Sequence, residues 1–549
     1  MVISLLKITH RIFRSLITWT WVVIVSFIGI IPPLIKAGFP PNHEDDTFVL
    51  RTMVYAKHFR FGDLVPVWSS TDNFGFGSPF PSLYHRLYYL VSGFIYASTN
   101  NAKIAISLAL IVFTSIGIRF VYLTLRSFHC SQYIAIVGAS VLPFLNYSVT
   151  NWLVRGAMAE YSAMMLIPVV LYFVKKSWDS KSLHWSLGLT FGFLFLAHSV
   201  VAYFVAFLIG ILLLTACLFR LLPWSFFALK QAALSLFAFI SITWWSLLPM
   251  LYFRQRFDVG RLLPNFLSVQ LQFHRATEYI WDSSWSWSNA PQLFTLQIDI
   301  IILSTLAVLL IMRKFSTEHI WVFALLVVSL LLQNGRSWKL YQLIPGAEYI
   351  QFPWRLSALS SVVMLILVFI GLSKFRSVAL AVALFTIVIS GTWQRVNYYS
   401  YPDRLETRNS RSLSNYSLSL FGEYLPTAGS ILTPDPSSSN IFSEWRPDLL
   451  DFIHINNATA SCTVTRNSPI KEIQSVSFTA TCDRVSLATL PVFATSAHTI
   501  SSSRDHVKDH CIVKEDSQSL CVVELPQGTT SLTVHMPTFM SVISALVNP

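Results

Sequence analysis

Charged residues are scarce in this sequence, at 12% of 549 residues, against about a quarter in ordinary soluble domains. This scarcity excludes a chain made only of soluble domains, since 54% of the residues are hydrophobic and the mean hydropathy is +0.55. Apolar runs recur from position 15 to about 394, for example at 104–125 and 298–312. About 20 apolar residues cross the hydrocarbon layer as a helix. The composition therefore predicts an α-helical polytopic membrane protein.

The net charge of +12 is not accompanied by a Lys/Arg-rich nucleic-acid motif, so we expect no nucleic-acid partner. The basic residues lie mostly between apolar runs, where membrane proteins carry Lys and Arg on the cytoplasmic side. A small-residue cleavage site is lacking after the basic amino terminus with Lys7, Arg11 and Arg14. The apolar run at about 16–35 is therefore predicted to be a retained first helix.

The basic residues also predict a topology with about 11 transmembrane helices. If the amino terminus is cytoplasmic, every short inner loop carries Lys or Arg, and the carboxyl third lies outside. The transmembrane domain is predicted to cover 1–394, with outer loops at 37–103, 252–296 and 334–355. The predicted spans lie at about 16–35, 104–125, 132–149, 160–174, 184–219 (a hairpin of two), 231–251 and 298–312, with three more that end near 333, 373 and 393.

Only six cysteines are present, and they divide the chain. Cys130 and Cys217 belong to the membrane part and are read as small hydrophobic residues. The other four lie in the polar last third, where they suggest disulfides and an oxidising compartment. Three pairings of these four are possible; the sequential one closes the shortest loops, and the sequence leaves the choice open. These cysteines are Cys462, Cys482, Cys511 and Cys521.

Residues 395–549 alternate polar and apolar side chains in stretches such as VSFTATC and SLTVHM. A period of two is typical of half-buried strands. The alternation predicts a β-rich domain, and the topology and the cysteines both favour an extracytoplasmic position for it.

An acidic run follows the first predicted helix, with Asp45 and Asp46 directly after Glu44. Adjacent carboxylates repel one another, so at least one is expected to have a raised pKa or a cationic partner. The alternative is a solvated turn that caps the next helix, since Asp is a strong N-cap.

Further polar residues fall at predicted outer helix ends, and each has a plainer alternative. Arg155 and Glu160 can simply pair with each other, and His198 can be a hydrogen-bonded structural residue. Gln351 and Arg355 can anchor an interfacial segment in which Pro353 opens the next helix. Arginine is nevertheless unexpectedly frequent on this side. A bound anion would account for it, because the planar guanidinium binds phosphate in two-pronged geometry.

The order of several short motifs resembles a group of bacterial multispanning proteins, the 6-pyruvoyl-tetrahydropterin synthase-related membrane proteins. Their architecture is similar to that of the GT-C glycosyltransferases. The matching segments extend over most of the chain, although each is short. They are HEDD after the first helix, GDLVPVW, GFGSPFPSLY, RGAMAEY, AHS at His198, QFPWR, and EYLP at 423–426.

The resemblance implies an inverting membrane glycosyltransferase of the bacterial plasma membrane. It would transfer a sugar from a polyprenyl-phosphate-linked donor to an extracytoplasmic glycan, lipid or protein. Asp46 or its neighbour Asp45 would be the general base. Arg155, His198 and Arg355 would neutralise the lipid phosphate, and Glu160 would orient Arg155 or bind acceptor. Gln351 is assigned to the same binding set.

The resemblance also has its departures and open points. Proteins of the group often continue past the soluble domain into another helix, whereas this sequence stops at Pro549. No dedicated metal-ligand motif is present, although the acidic run can hold a divalent cation.

Two other functions stay open. A lipid-linked sugar carrier or flippase would place charges near the membrane midplane. The predicted spans carry almost none apart from Arg119 and Asp299 near their ends, which favours a site that opens at the membrane surface. Nothing in the sequence excludes a third function, a non-catalytic assembly factor whose carboxyl domain binds an envelope partner.

Overall fold

The protein is described here by a computed structural model, which falls into two compact units. The helical unit consists of Met1–Thr52, His85–Thr243 and Leu267–Glu406, and the sheet unit of Met53–Tyr84, Trp244–Phe266 and Thr407–Pro549. Asp45, Asp46 and Gln351 lie outside the described residues, as does Glu44. The structure describes residues 2–37, 47–70, 72, 77–221, 226–257, 298–316, 319–341, 343–344, 352–398, 462–467, 474–504, 507, 511 and 520–547.

The helices of the described residues follow the apolar runs of the sequence. They are α1 (Val2–Ala37), α2 (Thr47–Arg60), α3 (Phe80–Leu83), α4 (Leu87–Thr99), α5 (Ala102–Ser127), α6 (Gln132–Val141), α7 (Asn146–Val149), α8 (Met158–Asp179), α9 (Ser186–Ala197), α10 (Ser199–Leu218), α11 (Phe226–Arg254), α12 (Ile300–Ile311), α13 (Ile320–Leu332), α14 (Trp338–Tyr341), α15 (Ser357–Ser373), α16 (Val378–Tyr398) and, after the strands, α17 (Phe539–Val547). Single 3-10 turns occupy Leu142–Phe144, Gly335–Ser337 and Pro353–Leu356, and a π-helical turn occupies Thr150–Val154.

Within the described residues, six helices are long and apolar enough to cross a membrane, or seven if the bent pair Gln132–Phe144 and Asn146–Val154 is one span. This confirms a polytopic helical membrane protein. Four further apolar helices are shorter, such as α12 with 12 residues. At 1.5 Å per residue α12 measures about 18 Å, well short of the roughly 30 Å hydrocarbon layer. The count of eleven spans therefore stays a prediction.

Basic residues mark one end of the helical unit. Five of them take a left-handed backbone conformation just after a helix: His129, Lys181, Arg220, Arg313 and Arg376. Contacts join these helix ends, because Lys175 lies over the Phe128 ring and Lys314 over the Phe375 ring. Cations at helix carboxyl ends complement the helix dipole. We call this side the basic end; α8 and α15 both run toward it, so their first turns lie at the opposite end.

The sheet unit contains two antiparallel sheets. The strands are β1 (Cys462–Arg466), β2 (Ser475–Cys482), β3 (Ser486–Phe493), β4 (Thr499–Ser502), β5 (Leu520–Leu525) and β6 (Gly528–His535). Four strands pair in the order β1-β2-β6-β4, and β3 pairs with β5. Alternate residues such as Phe478 and Leu532 enter a buried core that also contains Trp68 and Phe253. The β-rich carboxyl region predicted from alternation is thus confirmed.

The disulfides join Cys462 to Cys482 and Cys511 to Cys521. This is the sequential pairing, the one with the shortest loops. Register explains the first bond, because Cys462 and Cys482 are directly opposite each other on β1 and β2. Two disulfides are consistent with an extracytoplasmic location for this region. Cys130 and Cys217 are free, as the sequence suggested.

Candidate functional site

The turn before α8 positions the first group of polar residues. Arg155 follows the π-helical turn, and Gly156 takes a positive φ of 70°, a conformation that residues with a Cβ rarely adopt. The chain then reverses and α8 begins at Met158, which puts Glu160 in its first turn. A carboxylate there is stabilised by the positive end of the helix dipole. The motif RGAMAE therefore brings Arg155 and Glu160 together.

Glu160 is the centre of a buried ion cluster. Its Oε2 lies 3.2 Å from Nη2 of Arg155 and 3.2 Å from Nε of Arg355. Its Oε1 accepts a hydrogen bond from the Tyr147 hydroxyl. The Glu160 side chain is only 1% exposed, so the two guanidinium groups replace the water that its charge would otherwise need. The pairing of Arg155 with Glu160, one of the two alternatives in the sequence, is confirmed, and Arg355 joins the pair.

Aromatic rings and an amide fix the planes of both guanidinium groups. Cζ of Arg155 lies 4.3 Å from the centroid of the Trp354 ring, and Cζ of Arg355 lies 4.8 Å from that of Phe352. Asn151 accepts a hydrogen bond from Nη1 of Arg155. Because an arginine stacked on a ring and paired with a carboxylate loses little further freedom when it binds a ligand, the cluster is preorganised. The QFPWR segment thus supplies Arg355 itself and also Trp354, the ring on which Arg155 lies.

Two histidines stack beside this cluster. The rings of His85 and His198 lie 3.8 Å apart between centroids, at 29° to each other. Nδ1 of His198 accepts the Val201 N–H at the start of α10, and Nδ1 of His85 accepts the Ser199 N–H, both at 3.2 Å. An accepting Nδ1 leaves the proton of the neutral ring on Nε2. The hydrogen-bonded structural role, one alternative for His198, is therefore confirmed at Nδ1. Nε2 is the nitrogen that carries the proton.

Both imidazoles are held neutral at pH 7. Burial is the main cause that lowers the pKa of His198 well below its usual range, and the charges of Arg355 and Arg155 lower it further. His85 keeps some exposed surface, yet desolvation by the surrounding protein, then His198, Arg355 and Arg51, lower its pKa too, against a smaller opposite effect of Glu160. The electrostatic effects of Arg155 and Arg355 on His198 show that the three predicted residues lie in one neighbourhood.

Acidification is expected to destabilise the protein through this pair. Because the pKa of folded His198 lies below the unfolded value near 6.5, the unfolded chain binds a proton first as the pH falls. The associated stability is therefore complete above about pH 6.5 and is lost below it, by up to about 1.4 kcal/mol per pH unit for each histidine. His198→Asn keeps an acceptor for the Val201 N–H but does not titrate. Its unfolding temperature should fall less than that of the wild type between pH 7 and pH 5; parallel curves would contradict the assignment.

Sequence reasoning missed several members of this neighbourhood. Tyr147 and Asn151 gave no signal, since they lie on a bent helix whose approach to Glu160 is a tertiary feature. The aromatic stretch from Leu83 to Ala97, which contains His85, is typical of an interfacial segment, and no motif marks Arg51 of α2. Asp299 accepts the Asn146 N–H at 2.9 and 3.0 Å, so it caps α7. Its position as a lone acidic residue beside an apolar run could have indicated a role of this kind.

The remaining predicted residues cannot be added to this geometry. Asp45, Asp46 and Gln351 lie outside the described residues, so their roles stay predictions. Among the residues that the structure does describe, no group of three or more His, Cys, Asp or Glu side chains is placed to hold a metal ion. The acidic run 44–46 is not covered by that statement.

Neither a family model nor a curated protein matches the sequence, so the resemblance to the 6-pyruvoyl-tetrahydropterin synthase-related proteins has no support there. Among solved structures, the chain is similar to the arabinofuranosyltransferase AftD from Mycobacteria, with 11% identity and a TM-score of 0.46 over 72% of this chain and 29% of that one. It is also similar to the Archaeoglobus fulgidus oligosaccharyltransferase in its apo form, with 11% identity and a TM-score of 0.46 over 74% of this chain and 60% of that one.

The chain therefore spans less than two thirds of the length of either protein. TM-scores below 0.5 at such low identity do not establish a shared activity. The function has to rest on the residues of the site.

Proposed function

We propose that this protein is a membrane glycosyltransferase that uses a polyprenyl-phosphate-linked sugar, and that the cluster of Arg155, Glu160 and Arg355 binds the phosphate of the donor. The observation that carries the proposal is the state of Arg355. Its Nε lies 3.2 Å from Oε2 of Glu160 without forming a hydrogen bond, and its terminal amino groups form no hydrogen bond with the residues that the structure describes. Its side chain keeps 13% exposure, so these groups can still meet a ligand.

The charges of the cluster suit an anion. Two arginines and one carboxylate leave one net positive charge, held next to two neutral histidines. In a setting with little water, such a charge attracts phosphate more strongly than it would in bulk solvent. A guanidinium edge can also donate two parallel hydrogen bonds to phosphate oxygens. The cluster lies at the amino ends of α8 and α15, opposite the basic end, which favours binding of an anion near one membrane surface.

The proposed reaction is a single displacement at the anomeric carbon of the sugar. An acceptor hydroxyl forms the new C–O bond while the bond from the anomeric carbon to the phosphate oxygen breaks. The departing phosphate gains one negative charge, which Arg355 and Arg155 stabilise. Asp46, or Asp45, would take the proton from the acceptor hydroxyl. Atoms and charge balance without a covalent enzyme intermediate.

One observation favours a rival function. The bent pair Gln132–Phe144 and Asn146–Val154 changes direction by 41°, and Tyr147 and Asn151 of the cluster lie on it. Broken helices beside a charged site are typical of transporters. A carrier of lipid-linked sugars would bind the same phosphate but leave the sugar–phosphate bond intact.

Binding of polyprenyl phosphate alone tests the phosphate site. We expect Arg355→Gln in the purified full chain to weaken binding by about 10- to 100-fold, since a hydrogen bond from a charged group contributes about 1.5–3 kcal/mol. Arg355→Lys should give an intermediate loss, because it keeps the charge but not the planar fork.

The matched control is Arg376→Gln, which removes an arginine from the other end of the same helical segment. It should bind like the wild type. Native mass spectrometry of the protein with added decaprenyl phosphate would measure all four proteins. Equal binding by wild type, Arg355→Gln and Arg376→Gln would refute the phosphate site.

A further inference from the structure

One face of the four-stranded sheet is lined almost entirely by hydroxyl groups. Residues directly opposite each other on antiparallel strands point to the same side, and the register of β1, β2, β6 and β4 gives four rows of three. Eleven of these twelve positions are Ser or Thr, and the twelfth is His535. The rows are Thr463–Thr481–Thr529, Thr465–Thr479–Ser531, Ser477–Thr533–Ser501 and Ser475–His535–Thr499. We call this surface the hydroxyl face.

The hydroxyl face points away from the core. The intervening residues of β2 and β6, such as Phe478 and Val534, are fully buried, whereas Thr481, Ser531 and His535 are exposed. None of the twelve positions carries Lys, Arg, Asp or Glu. Solvent-facing surfaces usually carry about a quarter to a third of such residues, so solubility alone does not account for this composition.

The hydroxyl groups keep hydrogen-bonding capacity. Ser477 and Thr533 bond to each other at 3.3 Å, and Thr481 and Thr529 at 3.1 Å. Each hydroxyl has one donor and two acceptor lone pairs and can rotate to suit a partner. A bond between two hydroxyls uses one donor and one acceptor, so the second donor and the remaining lone pairs of the Thr481–Thr529 pair can meet a ligand. Strands about 4.8 Å apart and rows about 6.8 Å apart present these groups as a regular polar lattice.

We infer that the hydroxyl face binds a neutral glycan chain. Sugar hydroxyls are also both donors and acceptors, so they match a surface of the same chemistry. The lack of charge on the twelve positions gives no attraction for an anionic polymer or an anionic lipid surface. The lack of Trp, Tyr and Phe among them removes the aromatic anchors that protein interfaces use as hot spots. A neutral polysaccharide is the ligand that meets these conditions.

The same composition sets the strength of binding. Without a Trp, Tyr or Phe ring for a sugar to stack on, each row holds one sugar weakly. A polymer that engages several rows at once gains from the high effective concentration of its second and third contacts. The face therefore retains polysaccharides and not single sugars. This binding does not depend on the proposed transfer reaction.

Affinity electrophoresis of the full-length protein in a non-denaturing detergent gel tests the inference. Gels would contain dextran, mannan or arabinogalactan, with alginate as the anionic comparison. We expect at least one neutral polymer to retard the wild type and alginate not to. The triple variant Thr479→Val, Ser531→Ala, Thr533→Val removes three central hydroxyls, keeps strand propensity, and should bind at least about 10-fold more weakly, the loss expected when about 1.4 kcal/mol of hydrogen bonding is removed.

The double variant Thr479→Ser, Thr533→Ser is the matched control, because it alters the same surface but keeps its hydroxyls. It should bind within about two-fold of the wild type on the same energy scale. Thermal unfolding of each variant shows whether the sheet is intact, and a poorly folded triple variant is replaced by the single Ser531→Ala. The inference is overturned if no neutral polymer retards the wild type, if alginate does so equally, or if the hydroxyl-free and hydroxyl-keeping variants bind alike. If the wild type binds a neutral polysaccharide but transfers no sugar, the result counts against the proposed function alone.

Discussion

Asp46→Asn is expected to lower the rate of sugar transfer by about 10²–10⁴-fold, the contribution typical of a positioned general base. The change removes the proton acceptor but nearly keeps the shape and hydrogen-bonding capacity of the side chain. Donor binding should persist, because the arginines proposed to hold the phosphate are elsewhere in the chain. Asp46 lies outside the described residues, so the prediction rests on its place in the HEDD motif.

Asp45→Asn is the necessary control. The rate of sugar transfer by both variants and by the wild type is measured in a single-turnover assay. The two neighbours should differ sharply if only one of them faces the acceptor hydroxyl. Both variants should unfold at close to the wild-type temperature. If neither substitution alters transfer in a folded protein, the acidic run is only a helix cap. Glu160 would be a poor substitute, since two arginines and a tyrosine already hold its carboxylate. The next candidate would be Glu348, which precedes the QFPWR segment in the predicted outer loop 334–355.

Glu160→Gln should destabilise the helical unit by about 3–5 kcal/mol, the usual cost of removing one partner of a buried ion cluster. The change leaves Arg155 and Arg355 close together with no shared counter-charge, in a place with little water to screen their repulsion. A large fall in the thermal unfolding temperature of the detergent-solubilised protein is the expected readout. Added polyprenyl phosphate should restore part of the loss, because a second anion can take the place of the carboxylate.

Tyr147→Phe is the matched comparison for this prediction. It removes one hydrogen bond to Glu160 but keeps both ion pairs, so its cost should be smaller, about 1.5–3 kcal/mol. In the double variant Glu160→Gln, Arg355→Gln, the loss should be less than the sum of the single losses. If Glu160→Gln unfolded at the wild-type temperature, the cluster would be of no structural consequence.

Much of the fold could be predicted because the bilayer imposes simple length and composition rules. Apolar runs located the helices, and the period-two alternation around Phe478 located the sheet. The pairing of Arg155 with Glu160 was also within reach, since Gly156 and five residues of separation leave few alternatives. Features of this kind depend on residues that are close together in the chain, so they can be predicted from a single sequence.

The remaining features depend on contacts between distant segments. Arg355 joins Glu160 from nearly two hundred residues away, and His85 stacks on His198 from more than one hundred residues away. No local pattern encodes either contact. The choice of disulfide partners required the register of β1 against β2, which the alternation leaves open. Helix length was overestimated for α12, because an apolar run can extend beyond the hydrogen-bonded helix.

The most direct measurement combines purified wild-type protein in proteoliposomes with a radiolabelled pool of polyprenyl-phosphate sugars and an extracted mixture of envelope glycans. A glycosyltransferase should move label from the lipid fraction to the glycan fraction in proportion to the amount of protein, and Arg355→Gln should reduce that transfer at limiting donor. Label that changes leaflet but stays on the lipid would contradict the proposal and show a carrier instead.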